Sequence, residues 1–192
     1  MNKKELKKLE EVLIQVGLKI AKRGEGALFV VGDVEYRPLV DQNIPPFKAV
    51  TNPKLLESLG LMDGAVIIDN YGMVKAHGVM IKSKKTFKNF GTRHSAGLTA
   101  SKGKNLVVLI SEEDRKIRIL KDEKMIMQID ALQKNVEKSV STAVNLLESV
   151  GAGTLGAIGT GLLVPSLGIA MIPGIIVFGS AYFIGKVLHS QK

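Results

Sequence analysis

Three short stretches of this chain carry the residue types that chemistry uses. Asp63-Gly64-Ala65 runs directly into the apolar segment AVIID. A carboxylate at the mouth of a strand can hold a hard cation, and the glycine beside it lets backbone come close to a ligand. Asp-Gly is also an ordinary turn dipeptide, and read alone it is a turn. Gly91-Thr92-Arg93-His94 offers a hydroxyl, a guanidinium, an imidazole and backbone N–H groups where a helix is expected to begin. Phosphate suits such a place for two reasons: helix N-termini present unpaired donors in a favourable dipole, and an arginine grips phosphate oxygens with parallel hydrogen bonds. A plain helix cap with an exposed Arg and a His turned to solvent fits the same residues. Ser111-Glu112-Glu113-Asp114 gathers acidic groups where the apolar run LVVLIS ends; alone, this reads as an acidic turn.

The elements that must position these residues follow from periodicity. Leu6, Leu9, Leu13, Val16 and Ile20 alternate at spacings of three and four, which predicts an amphipathic helix to about Lys22, stopped by Gly24 and Gly26. ALFVV, Ala27 to Val31, is a buried strand closed by Gly32 and Asp33. Asn52, Pro53 and Gly60 frame KLLESL as a short helix. AVIID and Met73 to Ile81 form a hairpin across Asn70-Tyr71-Gly72, a basic loop follows from Lys82 to Lys88, and a helix starts near Thr92 or Arg93. RKIRIL and KMIMQI alternate around Lys121 to Glu123, as in a solvent-facing edge hairpin. Leu132, Val136, Val140, Ala143, Val144 and Leu147 predict a last amphipathic helix. Interleaved strands and helices give an α/β class with a mixed central sheet covered by helices.

Composition bounds the function. The chain has 192 residues and a net charge of +9. All 18 acidic residues and all but two of the 27 Lys and Arg lie in the first 148 positions, so the basic surplus belongs to that part. Such a surplus suits an anionic partner. There is no Cys, which excludes disulfides and thiolate chemistry, and no Trp, with aromatics at 5%; specific nucleic acid is not an expected partner. The charged opening MNKKELKKLEEVL does not have the pattern of a secretory signal, and the bulk of the chain is expected in the cytoplasm. The usual phosphate-binding and hydrolase signatures are missing.

Taken in order and spacing, the three stretches resemble the diadenylate cyclase (DAC, or DisA N-terminal-like) domain family. The carriers are LMDGAVIID, GTRHS about thirty residues later, GALFVVGD and LVVLISEED, and the resemblance covers roughly residues 5 to 130. It implies a domain that binds one ATP and, facing a second copy of itself, condenses two ATP into cyclic di-AMP with release of two pyrophosphates. Asp63 would hold Mg²⁺ or Mn²⁺ near the 3′-hydroxyl, with Glu112 or Glu113 as a second acidic contact. Gly64, Ala65 and Ser111 would line the nucleotide, and Thr92, Arg93 and His94 would hold the phosphates, so that Asp63, Arg93 and His94 carry the catalysis. Two positions depart from the pattern: Ser95 stands where the RHR motif has its last Arg, and Met62 where a His precedes DGA. The rival reading is a weakly active or inactive nucleotide-binding signalling module.

From Gly151 to Gly185 no residue is charged, which exceeds the ~18 to 20 residues of a membrane-spanning signal. Domains are therefore expected at 1–130 (catalytic), 131–150 (connecting amphipathic helix) and 151–192 (a glycine-rich hydrophobic, helical membrane tail), with the membrane as partner through residues 151–185. Pro165 and Pro173 divide the stretch into limbs, Gly151 to Val164 and Gly174 to Leu188. A bent single span and a hairpin both fit, and Lys186, His189 and Lys192 favour the hairpin. Gly153, Ala157 and Gly161 recur every four residues, a spacing that lets membrane helices associate. A buried glycine-rich soluble segment is the alternative.

Overall fold

A computed structural model describes residues 2–82, 91–151, 162–164 and 169–178. The helix α1 (Lys3–Lys22) starts with a reciprocal cap between Asn2 and Glu5 and lays Leu9, Leu13, Val16 and Ile20 on the core. It leads into β1 (Ala27–Val31), all five residues of which are buried. Then come β2 (Tyr36–Pro38), β3 (Phe47–Lys48), α2 (Pro53–Gly60), β4 (Ala65–Ile68), β5 (Met73–Ile81) and α3 (Thr92–Ala100). They are followed by β6 (Leu106–Ile110), β7 (Lys116–Lys121), β8 (Lys124–Asp130), α4 (Val140–Gly151), β9 (Leu162–Val164), β10 (Ile169–Ile172) and β11 (Ile175–Phe178).

The strands form one sheet in the order β2-β5-β4-β1-β6-β7-β8-β11-β10-β9, with β3 on β5. Among the described pairings only β1 with β4 is parallel, Phe29 opposite Val66. Side chains alternate between two faces. One face, with Phe29, Val66, Val108 and Ile117, packs against α1, α2 and α4; the other, with Leu28, Ala65, Val107 and Leu109, packs against Ala96 and Ala100 of α3. The α/β class and mixed sheet are as expected.

Three expectations change. The β7–β8 hairpin is not an edge, because β11 pairs with β8, Ile175 opposite Ile129. The last helix does not start at Leu132, which is 63% exposed. Asn135 adopts a left-handed φ of 61°, a 3₁₀ turn follows at Val136–Ser139, and α4 begins at Val140.

The third correction concerns the tail. Its described parts are strands rather than membrane helices, and among the described residues no helix is long and apolar enough to cross a membrane. The physical reason lies in the local sequence: IAMI and IIVF are short β-prone runs separated by Pro173-Gly174, where proline sets the first turn position and Gly174 takes the left-handed φ of 77°. The β10–β11 hairpin then adds to β8, burying Ile175 and Val177. The Gly153-Ala157-Gly161 spacing, most of the basic loop from Lys82 to Lys88, and the remainder of both limbs lie outside the described residues.

Candidate active site

The register of three strands brings the candidate residues to one end of the sheet. β1 and β4 are parallel and both begin there; β6 is antiparallel to β1, Ala27 opposite Ile110, and ends there. Asp63-Gly64, Gly26 and Ser111 therefore stand in a row at neighbouring strand ends, about 5 Å from one strand to the next. The N-terminus of α3 is placed above this row by the packing of Ala96 and Ala100 on the sheet.

A pocket of about 130 Å³ opens at this end, lined by Gly91, Thr92, Arg93, His94, Leu109, Ile110, Ser111, Glu112 and Glu113. The GTRH and SEE stretches, about twenty residues apart in sequence, thus form one concavity. Thr92 is exposed, Arg93 and His94 are half-buried, and Ser111 is buried. Gly91 precedes the first turn of α3 with no side-chain cap, and its carbonyl accepts from Ser95 N–H at 3.1 Å. The first turn of α3, whose leading N–H groups have no partner within the helix, thus lines the pocket.

Arg93 is held from two sides. Its Nη1 donates to Glu112 Oε2 at 3.0 Å, and its guanidinium lies over Gly26 so closely that a Cβ there would collide with it. Gly26 therefore does more than end a helix: it leaves the space in which Arg93 rests. On the far side of the acidic turn, Asp114 takes both terminal nitrogens of Arg118, with Nη1 at 3.2 Å from Oδ1. His94 has its pKa lowered from the ordinary 6.5, first by burial and then by the positive charge of Arg118, against opposing pulls from Asp114 and Glu113. The imidazole is accordingly the neutral form at pH 7. Gly26 and Arg118, which touch Arg93 and Asp114 beside the pocket, carried no functional signal in the sequence, and the acidic stretch gave no sign that Asp114 pairs with Arg118.

Asp63 does not line this pocket. Its carboxylate is exposed at the mouth of β4 and accepts the N–H of Gly64 at 2.9 Å through Oδ1. Gly64 has a φ of +96°, and a Cβ there would come within 2.7 Å of the backbone N and O of Val79. This position requires glycine, and the requirement fixes the loop that presents Asp63. Ala65 is buried in β4.

Among the described residues, no three of His, Asp and Glu converge as a metal cage. Glu112 meets Arg93 rather than Asp63. The donor set nevertheless fits a hard divalent cation of the kind that nucleotides carry, because Mg²⁺ is commonly held by one or two carboxylates together with substrate phosphates. Asp63 and Glu113 are exposed carboxylates at this end of the sheet.

Comparison with known proteins gives the family. The family described as DisA bacterial checkpoint controller nucleotide-binding (DAC) matches residues 17–125, more than half of the chain. The chain belongs to the DAC family. The match runs from the second half of α1 to the start of β8 and contains all three site stretches. A curated diadenylate cyclase from Haloferax volcanii is 31% identical over 137 residues, 62% of this chain and 50% of that protein. The chain thus spans about half the length of that DAC relative. Among solved structures, DacA from Staphylococcus aureus, a double mutant, covers 77% of this chain and 97% of its own at 25% identity and a TM-score of 0.48. A hypothetical membrane spanning protein from Bacillus cereus covers 59% of this chain and 60% of its own, with 23% identity and a TM-score of 0.46.

Proposed function

We propose that this DAC chain is a diadenylate cyclase, condensing two ATP into cyclic di-AMP with release of two pyrophosphates while two copies face each other. The observation that carries the reading is the convergence of Thr92, Arg93 and His94 with Ser111, Glu112 and Glu113 on one pocket, at the sheet end where Asp63-Gly64-Ala65 begins. Each half-reaction forms a bond from a ribose 3′-oxygen to an α-phosphorus, breaks the bond from that phosphorus to the pyrophosphate oxygen, and releases the 3′-hydroxyl proton. One chain offers one set of these residues, so ring closure requires a second set.

The roles follow from what each side chain can do. Arg93 and the α3 N-terminal donors bind the phosphates and hold the leaving pyrophosphate, supplying positive charge where negative charge grows. Neutral His94 orients a phosphate oxygen and can gain a proton as charge develops. Gly64 and Ala65 let the nucleotide lie against backbone. Asp63, with Oδ1 committed to the Gly64 amide, has Oδ2 to accept the 3′-hydroxyl proton. When bound, Mg²⁺ or Mn²⁺ would supply charge neutralisation of the phosphates, and Asp63 is the residue that would hold it, with Glu113, which lines the pocket, as the second acidic group.

The test is incubation of the purified full chain with ATP and Mn²⁺, with products read by mass over a range of protein concentrations. Cyclic di-AMP whose yield per molecule rises with concentration is the expected result. Bound but unchanged ATP would point instead to the signalling-module reading, which the Ser95 and Met62 departures favour. Absence of both binding and product would sink the proposal.

A further inference from the structure

The GTRHS motif has one guanidinium fewer than the pattern it resembles, because position 95 is Ser. That serine is only 6% exposed, on the first turn of α3. A triphosphate carries several negative charges, and among the described residues that line the pocket Arg93 is the one guanidinium. Another cation stands on the same face of the sheet. Arg118 of β7 lies directly opposite Leu109 of β6, and Leu109 lines the pocket. Residues paired in this way project to the same face, here the face covered by α3. The Arg118 side chain is 17% exposed, an unusual degree of burial for an arginine.

The acidic turn after β6 holds one guanidinium on each side. Glu112 takes Arg93, and Asp114 takes Arg118 through two nitrogens while also accepting the N–H of Lys116 at 3.3 Å. A fork of this kind fixes the plane of a guanidinium and uses two of its five N–H groups, leaving three for another acceptor. Burial first, and after it the charge of Arg118, lower the pKa of His94, which puts Arg118 within electrostatic reach of that pocket residue. We propose that Arg118, oriented by Asp114, is a second phosphate-facing cation of the pocket and stands in for the guanidinium absent at position 95. The inference rests on the reading of this pocket as an ATP site.

The experiment compares ATP with adenosine, which lacks phosphate, by titrating each into the full chain and its variants. Arg118→Ala should weaken ATP by about tenfold or more, the usual effect of losing a charge-assisted contact, and leave adenosine affinity unchanged. Arg118→Lys should fall between the two, since it keeps the charge and loses the fork. Asp114→Asn retains the cation but loosens the fork that fixes its plane, so ATP affinity should fall by less than in Arg118→Ala while adenosine affinity holds. Ser95→Arg placed in the Arg118→Ala chain should recover ATP affinity. A purely structural ion pair predicts the opposite pattern: Asp114→Asn and Arg118→Ala would weaken ATP and adenosine alike, which overturns the inference, as does unchanged ATP affinity in a well-folded Arg118→Ala chain. Should Arg118→Ala fail to fold, Arg118→Lys and Asp114→Asn decide: a loss confined to ATP supports the inference, and an equal loss for adenosine overturns it. If the unmutated chain binds adenosine but shows no gain from phosphates, or binds neither, the ATP reading itself falls, a result distinct from a phosphate gain that ignores Arg118.

Discussion

Asp63→Asn removes a charge and a proton acceptor from an exposed carboxylate that fills no packing space, so it should stop product formation while ATP affinity and melting temperature change little. Unchanged turnover in this variant would take Asp63 out of the mechanism. Arg93→Ala should act on binding first. A charge-assisted phosphate contact contributes ~1.5 to 3 kcal/mol, so titration should show ATP affinity lower by roughly one to two powers of ten. Glu112, 56% exposed, loses a partner without being stranded in the interior, so stability should hold. His94 gives a pH signature. Its pKa is lowered from 6.5, chiefly by burial, so below about pH 6.5 the unfolded chain takes up a proton that the folded imidazole refuses. The unligated protein should lose stability as pH falls through that window, and His94→Gln should flatten this loss. Bound phosphate raises the same pKa by placing negative charge beside it. ATP affinity should therefore strengthen from pH 8 to pH 6 more steeply in the unmutated chain than in His94→Gln, and equal slopes would show that His94 does not face phosphate.

At the level of elements, two glycines should separate folding from binding. Gly64 has a left-handed φ and backbone of β5 within 2.7 Å of a Cβ; Gly64→Ala sets strain against atoms that cannot move, and thermal unfolding should show a clear loss, on the order of 1 to 3 kcal/mol. At Gly26 the obstacle is the far end of the Arg93 side chain. Gly26→Ala should displace that guanidinium, leaving the melting temperature nearly unchanged and weakening ATP. Equal losses of stability in both variants would show that Gly26 serves the fold and not the site. What could be read in advance tracks this division. The end of α1, the bounds of β5 and the start of α3 were legible because periodicity, turn residues and glycine stops agree there. β2 and β3 were not: they have three and two residues, and β2 is wholly exposed. The DGA, GTRH and SEE stretches were legible as local residue types. The pairing of Glu112 with Arg93 and of Asp114 with Arg118 depends on which strands adjoin and how the turn after β6 folds, and no spacing in the chain encodes it.

On the scale of the whole molecule, the hydrophobic tail shows how one composition serves two solvents. A strand buried in a sheet reads as a continuous apolar run, and so does a membrane span; only the shortness of IAMI and IIVF, parted by Pro173-Gly174, distinguishes them here. Their hairpin closes the sheet on β8. Ile175 is 1% exposed and Val177 is fully buried, and Ile172 is 9% exposed. Burial of an aliphatic side chain contributes about 1.5 to 3 kcal/mol, so removing this hairpin takes several kcal/mol from the fold and leaves the β8 edge, with Met127 and Ile129, open to other chains. A chain ending at Ser149 should therefore melt lower than the full chain and associate at high concentration. The proposed ATP site should survive below the melting temperature, because β7 and β8 separate the lost strands from β6 and α3. The measurements are thermal unfolding, light scattering and ATP titration of both chains, with flotation of the full chain on liposomes as a separate readout. If the shortened chain melts like the full one and the full chain floats with lipid, the tail serves the membrane and not the sheet. A lower melting temperature, association through an open edge and no flotation would place residues 169–178 in the domain itself, and any pairing of two ATP sites would then have to come from the DAC surface alone.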